Sequence, residues 1–161
     1  KEERREIIDF LIDYAMKNPE MEVVTEQLYD DGVYLLQRVA EHEPELAVEM
    51  EKLLARQGGC PAGDRIVNVD YRGNVHLCPY WQYRTIGNIR EQKLSDICFD
   101  EENEILAMMK DKTQHLKGKC GRCMHKHLCR GCGARAEEMC GDLFGTDPAC
   151  YLTEEEVAAV R

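Results

Sequence analysis

The feature that most constrains this chain is its cysteine content. Four cysteines fall within the thirteen residues C-G-R-C-M-H-K-H-L-C-R-G-C at 120–132. Thiols at this density are typical of disulfide bonds, of a zinc ion or of an iron–sulfur cluster. Each of these would tie together loops that have too little apolar core to fold unaided. The nine cysteines of the sequence are Cys60, Cys78, Cys98, Cys120, Cys123, Cys129, Cys132, Cys140 and Cys150.

Disulfides are the least favoured of the three chemistries. The number of cysteines is odd, and the first residues, K-E-E-R-R-E-I-I-D-F, do not resemble a secretory signal. Thiols that stay reduced in a cytoplasmic protein are soft ligands, which zinc and iron prefer. We therefore expect a cytoplasmic, metal-binding protein.

The sequence changes in character at Cys60, which predicts an α+β fold in two parts. Residues 1–57 hold no cysteine and show helical periodicity, so we expect a helical lead-in or linker there. Residues 58–161 predict a small, loop-rich cluster-binding domain with a two-stranded β-hairpin and short helices. Predicted helices cover 3–17, 33–39, 44–56, 94–116 with a break near Asp100, 133–140 and 154–160, and the hairpin pairs 65–70 with 74–78.

Charge and hydropathy argue against nucleic acid and membranes as partners. The formal net charge is −10, yet residues 110–135 carry eight Lys or Arg against the single acid Asp111. A basic segment can bind nucleic acid. These bases, however, lie among thiolates, whose metal-bound form is itself anionic. No apolar run approaches the roughly 20 residues of a membrane-spanning helix.

The spacing of the dense segment allows a zinc site. Cys120-x2-Cys123 and Cys129-x2-Cys132 are two knuckles five residues apart, and together they could hold one tetrahedral zinc. A structural zinc module for protein or nucleic-acid interaction is therefore an alternative. Adding Cys60, Cys78 and Cys150 gives seven candidate ligands, which do not divide into complete four-thiolate zinc sites.

The order of these seven cysteines, with Gly73 before Cys78, resembles the SPASM domain of radical S-adenosylmethionine enzymes over about residues 58–152. The phrases V-D-Y-R-G-N-V-H-L-C-P, I-G-N-I-R-E and G-D-L-F-G-T-D-P-A-C-Y-L add to the resemblance. Many members have three residues, not two, between the third and fourth cysteines of the dense loop. The resemblance implies two auxiliary [4Fe-4S] clusters, although zinc could occupy the thiolates in protein prepared in air. Cluster I would be held by Cys60, Cys78 and Cys132, and cluster II by Cys120, Cys123, Cys129 and Cys150.

The chain departs from the family just before Cys60. Full members carry one more cysteine there, whereas the stretch E-K-L-L-A-R-Q-G-G contains none. We therefore hypothesise that cluster I has an open iron, with Asp64 and His76 nearby in sequence. Cys98 and Cys140 are expected to be structural.

The resemblance also implies a larger parent enzyme. The motif C-x3-C-x2-C, which holds the catalytic cluster of such enzymes, does not occur in this sequence. We therefore expect the C-terminal portion of a radical S-adenosylmethionine oxidoreductase or lyase, whose N-terminal barrel alone would bind S-adenosylmethionine. The auxiliary clusters would relay electrons, from a donor such as ferredoxin or flavodoxin, or hold substrate.

Three phrases point to a substrate class. V-V-T-E-Q-L-Y-D-D-G-V-Y-L-L, L-K-G-K-C-G-R-C and D-P-A-C-Y-L-T-E-E-E resemble the radical enzymes of haem d1 and alternative haem synthesis, which implies a tetrapyrrole substrate. A peptide-modifying enzyme is the alternative. Lys119, Arg122 and Lys126 would offset the negative charge of the clusters and raise their potentials.

Overall fold

The computed structural model describes residues 1–25 and 29–158. Within these residues the chain forms two compact units: Lys1–Cys60 with the chain from Lys117 onward, and Pro61–Leu116. None of the helices described combines the length and apolar character that crossing a membrane requires. The first unit contains α1 (Glu2–Lys17), α2 (Tyr29–His42), α3 (Pro44–Gln57), α7 (Gly118–Arg122), α8 (Lys126–Cys129), α9 (Gly133–Cys140) and α10 (Glu154–Ala158).

Local sequence signals set the ends of the helices. α1 ends at Asn18, whose side chain donates a hydrogen bond to the Tyr14 carbonyl (2.8 Å), and Pro19 follows. α3 has Pro44 in its first turn and ends at Gly58, which is left-handed (φ 66°) and donates to the Leu54 carbonyl (2.9 Å). All three helices predicted before Cys60 are present, as α1, α2 and α3.

The capping box predicted before the last helix is also present. The Glu156 N–H donates to Thr153 Oγ1 (3.1 Å), and the Thr153 N–H donates to Glu156 Oε2 (2.6 Å). The final two positions of that predicted helix, 159 and 160, lie outside the described residues.

Cysteines contribute to the core of the first unit. Cys123 and Cys150 are buried in the same apolar cluster as side chains of α1, α2 and α3, and α8 contacts both α2 and α3. The N-terminal helices therefore support the segment that carries the dense cysteines. The other buried members of this core are Ile8, Val33, Tyr34, Leu36, Ala47, Leu128, Tyr151, Leu152 and Val157.

The second unit is built on a small antiparallel sheet. The predicted hairpin is present, with Asn68 opposite His76 and Val69 opposite Val75. Its turn is held by the Asp70 carboxylate, which accepts the N–H groups of Arg72 (2.8 Å) and Asn74 (2.9 Å). The unit contains β1 (Asn68–Val69), β2 (Asn74–His76), β3 (Thr85–Asn88), α4 (Leu94–Cys98), α5 (Glu104–Lys110) and α6 (Lys112–His115).

The structure adds a third strand that the sequence did not predict. β3 pairs with β2, and the register is irregular between Val75 and His76. Its sequence, T-I-G-N, contains two residue types that are depleted in strands. Gly87 is needed because a Cβ there would lie within 2.8 Å of the Ile97 side chain, so α4 packs closely on β3.

Gly59 allows the end of α3 to approach the dense cysteine segment. It is left-handed (φ 61°), and a Cβ at this position would lie 2.5 Å from the Cys129 carbonyl oxygen. The next residue, Cys60, donates its N–H to that same carbonyl (3.0 Å). A side chain at position 59 would therefore push Cys60 away from Cys129.

We predict that Gly59→Ala destabilises the protein by about 2–4 kcal/mol, because left-handed strain adds to a backbone clash. Gly141→Ala is the matched control. Gly141 is also left-handed (φ 72°), but a Cβ at this position would have no described atom within 4 Å. That change should cost only about 1–2 kcal/mol. Chemical denaturation of both variants measures the difference, and equal losses would contradict the proposed close approach.

Candidate metal centre

The cysteines of the dense segment lie on short helices and the turns between them. Cys120 lies in α7, and Cys123 directly follows that helix. Cys129 ends α8, and Cys132 is the residue that precedes α9. Cys150 follows the loop after α9 and lies next to the buried Tyr151. None of the nine cysteines, all of which lie in the described residues, forms a disulfide.

Four of the sulfurs interact with one another. Burial raises the pKa of Cys120, and the negative charges of Cys150 and Cys123 raise it further. Burial likewise raises the pKa of Cys123, again with Cys150 contributing. Burial holds the pKa of Cys129 well above its usual range, and the charges of Cys120 and Cys150 add to the effect. These four are the residues that the resemblance assigns to cluster II.

Cys132 faces a different neighbour. Burial raises its pKa, and the Arg135 N–H and guanidinium oppose the rise. The negative charges of Asp147 and Cys60 raise it further. Cys60 is tied to the dense segment by the hydrogen bond from its N–H to the Cys129 carbonyl (3.0 Å). Cys60 and Cys132 are two of the three residues that the resemblance assigns to cluster I, and that assignment stays a prediction.

A left-handed turn separates Cys129 from Cys132. Arg130 (φ 64°) and Gly131 (φ 56°) are both left-handed, and Arg130 is the only non-glycine residue with positive φ in the described part of the chain. Two such residues in succession redirect the backbone within one knuckle. A Cβ on Gly131 would lie 3.3 Å from Cys120 Sγ, so glycine also leaves space for that sulfur.

Backbone N–H groups are directed at the sulfurs. In the described residues, five cysteine sulfurs accept a hydrogen bond from a backbone N–H group. Each bond lowers the pKa of its thiol, but burial raises that pKa by more, so the net shift is upward. The bond from Asp147 N–H to Cys120 Sγ measures 3.3 Å. The other pairs are His125 with Cys123, Gly131 with Cys129, Arg135 with Cys132 and Leu152 with Cys150.

These donors fit an iron–sulfur cluster. Hydrogen bonds to cluster sulfurs offset the negative charge of the thiolates and set the reduction potential. A [4Fe-4S] cluster takes one cysteine on each iron, so its ligands surround a cubane rather than a single atom. Among the described residues, no group of three or more His, Cys, Asp or Glu side chains is arranged to hold a single metal ion.

The remaining predicted site residues are placed as follows. Cys78 is buried in the second unit and directly follows Leu77 at the end of the hairpin. His76 is not available as a ligand, because Nδ1 is hydrogen-bonded to the Arg84 carbonyl (3.0 Å) and Nε2 to the Asp70 carboxylate (3.2 Å). Asp64 is paired with Arg65 at 3.6 Å.

The two cysteines outside the predicted ligand sets lie in different surroundings. Cys98 is half-buried in α4, and Cys140 is exposed at the end of α9. Their predicted structural roles stay predictions.

The three basic residues that were expected to act together differ in their surroundings. Lys119 Nζ contacts the Leu152 carbonyl, and its charge lowers the pKa of both Cys150 and Cys123. Lys126 also acts on Cys123 and donates to the Gly121 carbonyl (3.2 Å). Arg122 instead pairs with Glu154 at the surface (2.6 Å). Lys119 is therefore the base most closely associated with the sulfurs.

Sequence reasoning missed Asp147, which is only 4% exposed. Its N–H donates to Cys120 Sγ and its carboxylate accepts the Cys132 N–H (2.9 Å). The signal that could have found it was its position in D-P-A-C, where an acid three residues before a ligand cysteine can bind nearby backbone N–H groups.

Comparison with known proteins agrees with this chemistry. Residues 60–124 match the SPASM family, described as an iron–sulfur cluster-binding domain. The SPASM resemblance of the sequence is therefore confirmed over that range. No solved structure matches the chain.

Curated relatives are haem-related enzymes. Fe-coproporphyrin III synthase of Methanosarcina barkeri is 34% identical over 97% of this chain and 41% of the relative. Pre-heme d1 synthase of Dinoroseobacter shibae is 33% identical over 94% of this chain and 39% of the relative. AdoMet-dependent heme synthase of Methanosarcina barkeri is 37% identical over 66% of this chain and 29% of the relative. The chain thus spans about two fifths of the length of the first two.

We predict that Lys119→Met lowers the reduction potential of the iron-loaded protein, because a positive charge beside Cys150 and Cys123 is lost. Arg122→Met is the matched control and should leave the potential unchanged, since its guanidinium is committed to Glu154 at the surface. An EPR-monitored redox titration measures both. Equal shifts in the two variants would show that only the total charge of the segment matters.

Proposed function

We propose that this chain, whose residues 60–124 match the SPASM iron–sulfur cluster-binding family, is the C-terminal auxiliary-cluster portion of a radical S-adenosylmethionine enzyme that modifies a tetrapyrrole. The observation that supports the proposal is the pattern of electrostatic interactions among the sulfurs. Cys120 and Cys150 interact with each other and with both Cys123 and Cys129, whereas Cys132 interacts with Cys60. A module built for one zinc would instead gather both knuckles on one ion.

The ligand assignment follows from these sets. Cys120, Cys123, Cys129 and Cys150 would hold one [4Fe-4S] cluster. Cys60 and Cys132 would hold the other, with Cys78 as the third ligand on the strength of the family resemblance. With three cysteines, the fourth iron would be open to water or to substrate. Bound clusters would supply one-electron transfer or a Lewis-acidic iron.

The chain's own residues prepare these sites for a buried, negatively charged group. The backbone N–H groups of Asp147, His125, Gly131, Arg135 and Leu152 point at the sulfurs, and Lys119 adds a positive charge. The thiols are buried and must lose their protons to bind metal, so loading releases protons. These donors would stabilise the thiolates that form.

The substrate is inferred from the relatives, and the location from the reduced thiols. The names of the relatives refer to haem and Fe-coproporphyrin III, which are tetrapyrroles. S-adenosylmethionine would be bound by a barrel domain of the longer protein, and a ferredoxin or flavodoxin would supply electrons. We place the protein in the cytoplasm, where thiols stay reduced.

Single cysteine variants test the ligand sets. After anaerobic reconstitution the chain should bind about eight irons. Cys129→Ser and Cys132→Ser should each lose about half of the iron, with different clusters remaining in the EPR spectra. Cys140→Ser, whose thiol is exposed, is the control and should keep all of it. Colourless protein with one or two zinc ions, or loss of the same metal in both variants, would contradict the proposal.

Tetrapyrrole recognition requires a separate measurement on the iron-loaded longer protein. We expect iron coproporphyrin III to bind, with a shift of its Soret band on titration. Its methyl-esterified form is the control for the carboxylates and should bind at least tenfold more weakly, because one lost charge-assisted hydrogen bond is worth about 1.5–3 kcal/mol. Failure of both porphyrins to bind would contradict the tetrapyrrole assignment and leave the cluster assignment intact.

A further inference from the structure

We propose that Asp147 is a positioning residue that holds the ligands of the two cluster sites in one hydrogen-bonded frame. This inference rests on the cluster-binding function proposed above. Asp147 lies in the loop between α9 and α10, three residues before Cys150, and its side chain is 5% exposed. A buried carboxylate is costly unless it is paired and hydrogen-bonded. Its partners therefore indicate what it does.

The backbone of Asp147 faces the four-cysteine set. Its N–H donates to Cys120 Sγ (3.3 Å), and its carbonyl accepts the Cys150 N–H (3.1 Å). The side chain stiffens this turn, because Oδ1 accepts the Ala149 N–H at 3.0 Å. One residue thus fixes the positions of two ligands of this set relative to each other.

The carboxylate of Asp147 faces the other set. Oδ2 accepts the N–H of Cys132 (2.9 Å). The Arg135 guanidinium binds both oxygens, with Nε to Oδ1 at 2.9 Å and Nη2 to Oδ2 at 2.6 Å. Arg135 in turn directs its own N–H at the Cys132 sulfur. The bidentate pair therefore fixes the first turn of α9, from which Cys132 reaches Cys60.

These contacts form a continuous connection between the two sets. It runs from Cys120 Sγ through the N–H and carboxylate of Asp147 to the N–H of Cys132. The left-handed residues Arg130 and Gly131 lie between Cys129 and Cys132, and the Asp147 carboxylate holds the N–H of Cys132. A change at Asp147 should therefore affect both sites, although no atom of Asp147 is expected to be a metal ligand.

Two substitutions in the anaerobically iron-loaded chain test this role. Asp147→Asn keeps an oxygen to accept the Cys132 N–H but loses the charge that binds Arg135. We expect it to retain the full iron content and to shift the potential of the Cys132 site upward. Asp147→Ala also loses the acceptor, and we expect it to lose iron from the Cys132 site and to shift the potential of the four-cysteine site.

Glu156→Gln is the control for general destabilisation. It weakens the partly buried ion pair with Arg5 in the same unit, which makes none of the hydrogen bonds to the cysteines described above, and should leave both potentials unchanged. Iron analysis and EPR-monitored redox titrations give the readouts. If the Asp147→Ala protein does not fold, the Asp147→Asn protein alone tests the inference. Unchanged potentials in an iron-replete Asp147→Asn protein overturn the inference, whereas a wild-type chain that binds no iron overturns the proposed function instead.

Discussion

The described structure depends on hydrogen bonds between backbone N–H groups and cysteine sulfurs. A thiolate buried among apolar side chains is unfavourable, and burial indeed raises the thiol pKa of Cys120, Cys123, Cys129, Cys132 and Cys150. The N–H donors offset part of that cost and fix the direction of each sulfur. Because Cys123 and Cys150 also belong to the apolar core of the first unit, the same residues serve the fold and the metal site. Folding and cluster binding are therefore thermodynamically coupled.

Two left-handed residues, at 130 and 131, lie between Cys129 and Cys132. The charges of Cys120 and Cys150 act on Cys129, whereas the charge of Cys60 acts on Cys132. Gly131 is required, since any side chain there would meet Cys120 Sγ. Under the proposed assignment, this turn lies between a ligand of one cluster and a ligand of the other, a division that the cysteine spacing alone leaves undecided.

The parts of the fold that local signals control were predictable. Asn18-Pro19, Pro44, Gly58 and the box at Thr153 set helix ends, and all four behave as their chemistry indicates. The third strand was not predictable, because its four residues carry no alternation and its pairing depends on contacts with β2 and α4. The packing of α8 on α2 and α3 was also not predictable, since it joins segments that lie about 70 to 100 residues apart in the sequence. Within the site, residue types and order predict the candidate ligands, and these stay predictions. Asp147 was missed because its hydrogen bonds form only in the folded chain.

The structure also changes the interpretation of the basic segment. Its bases are largely committed to internal partners: Lys117 to Asp142 (2.6 Å), Lys119 to the Leu152 carbonyl, Arg122 to Glu154 and Arg135 to Asp147. Side chains engaged in this way are poor candidates for binding a free anion, because each would first have to break an existing contact. The positive charge in this segment therefore serves the sulfurs and the loops that hold them. Under the proposed function, recognition of the carboxylates of a tetrapyrrole would then depend on the proposed open iron or on other parts of the enzyme.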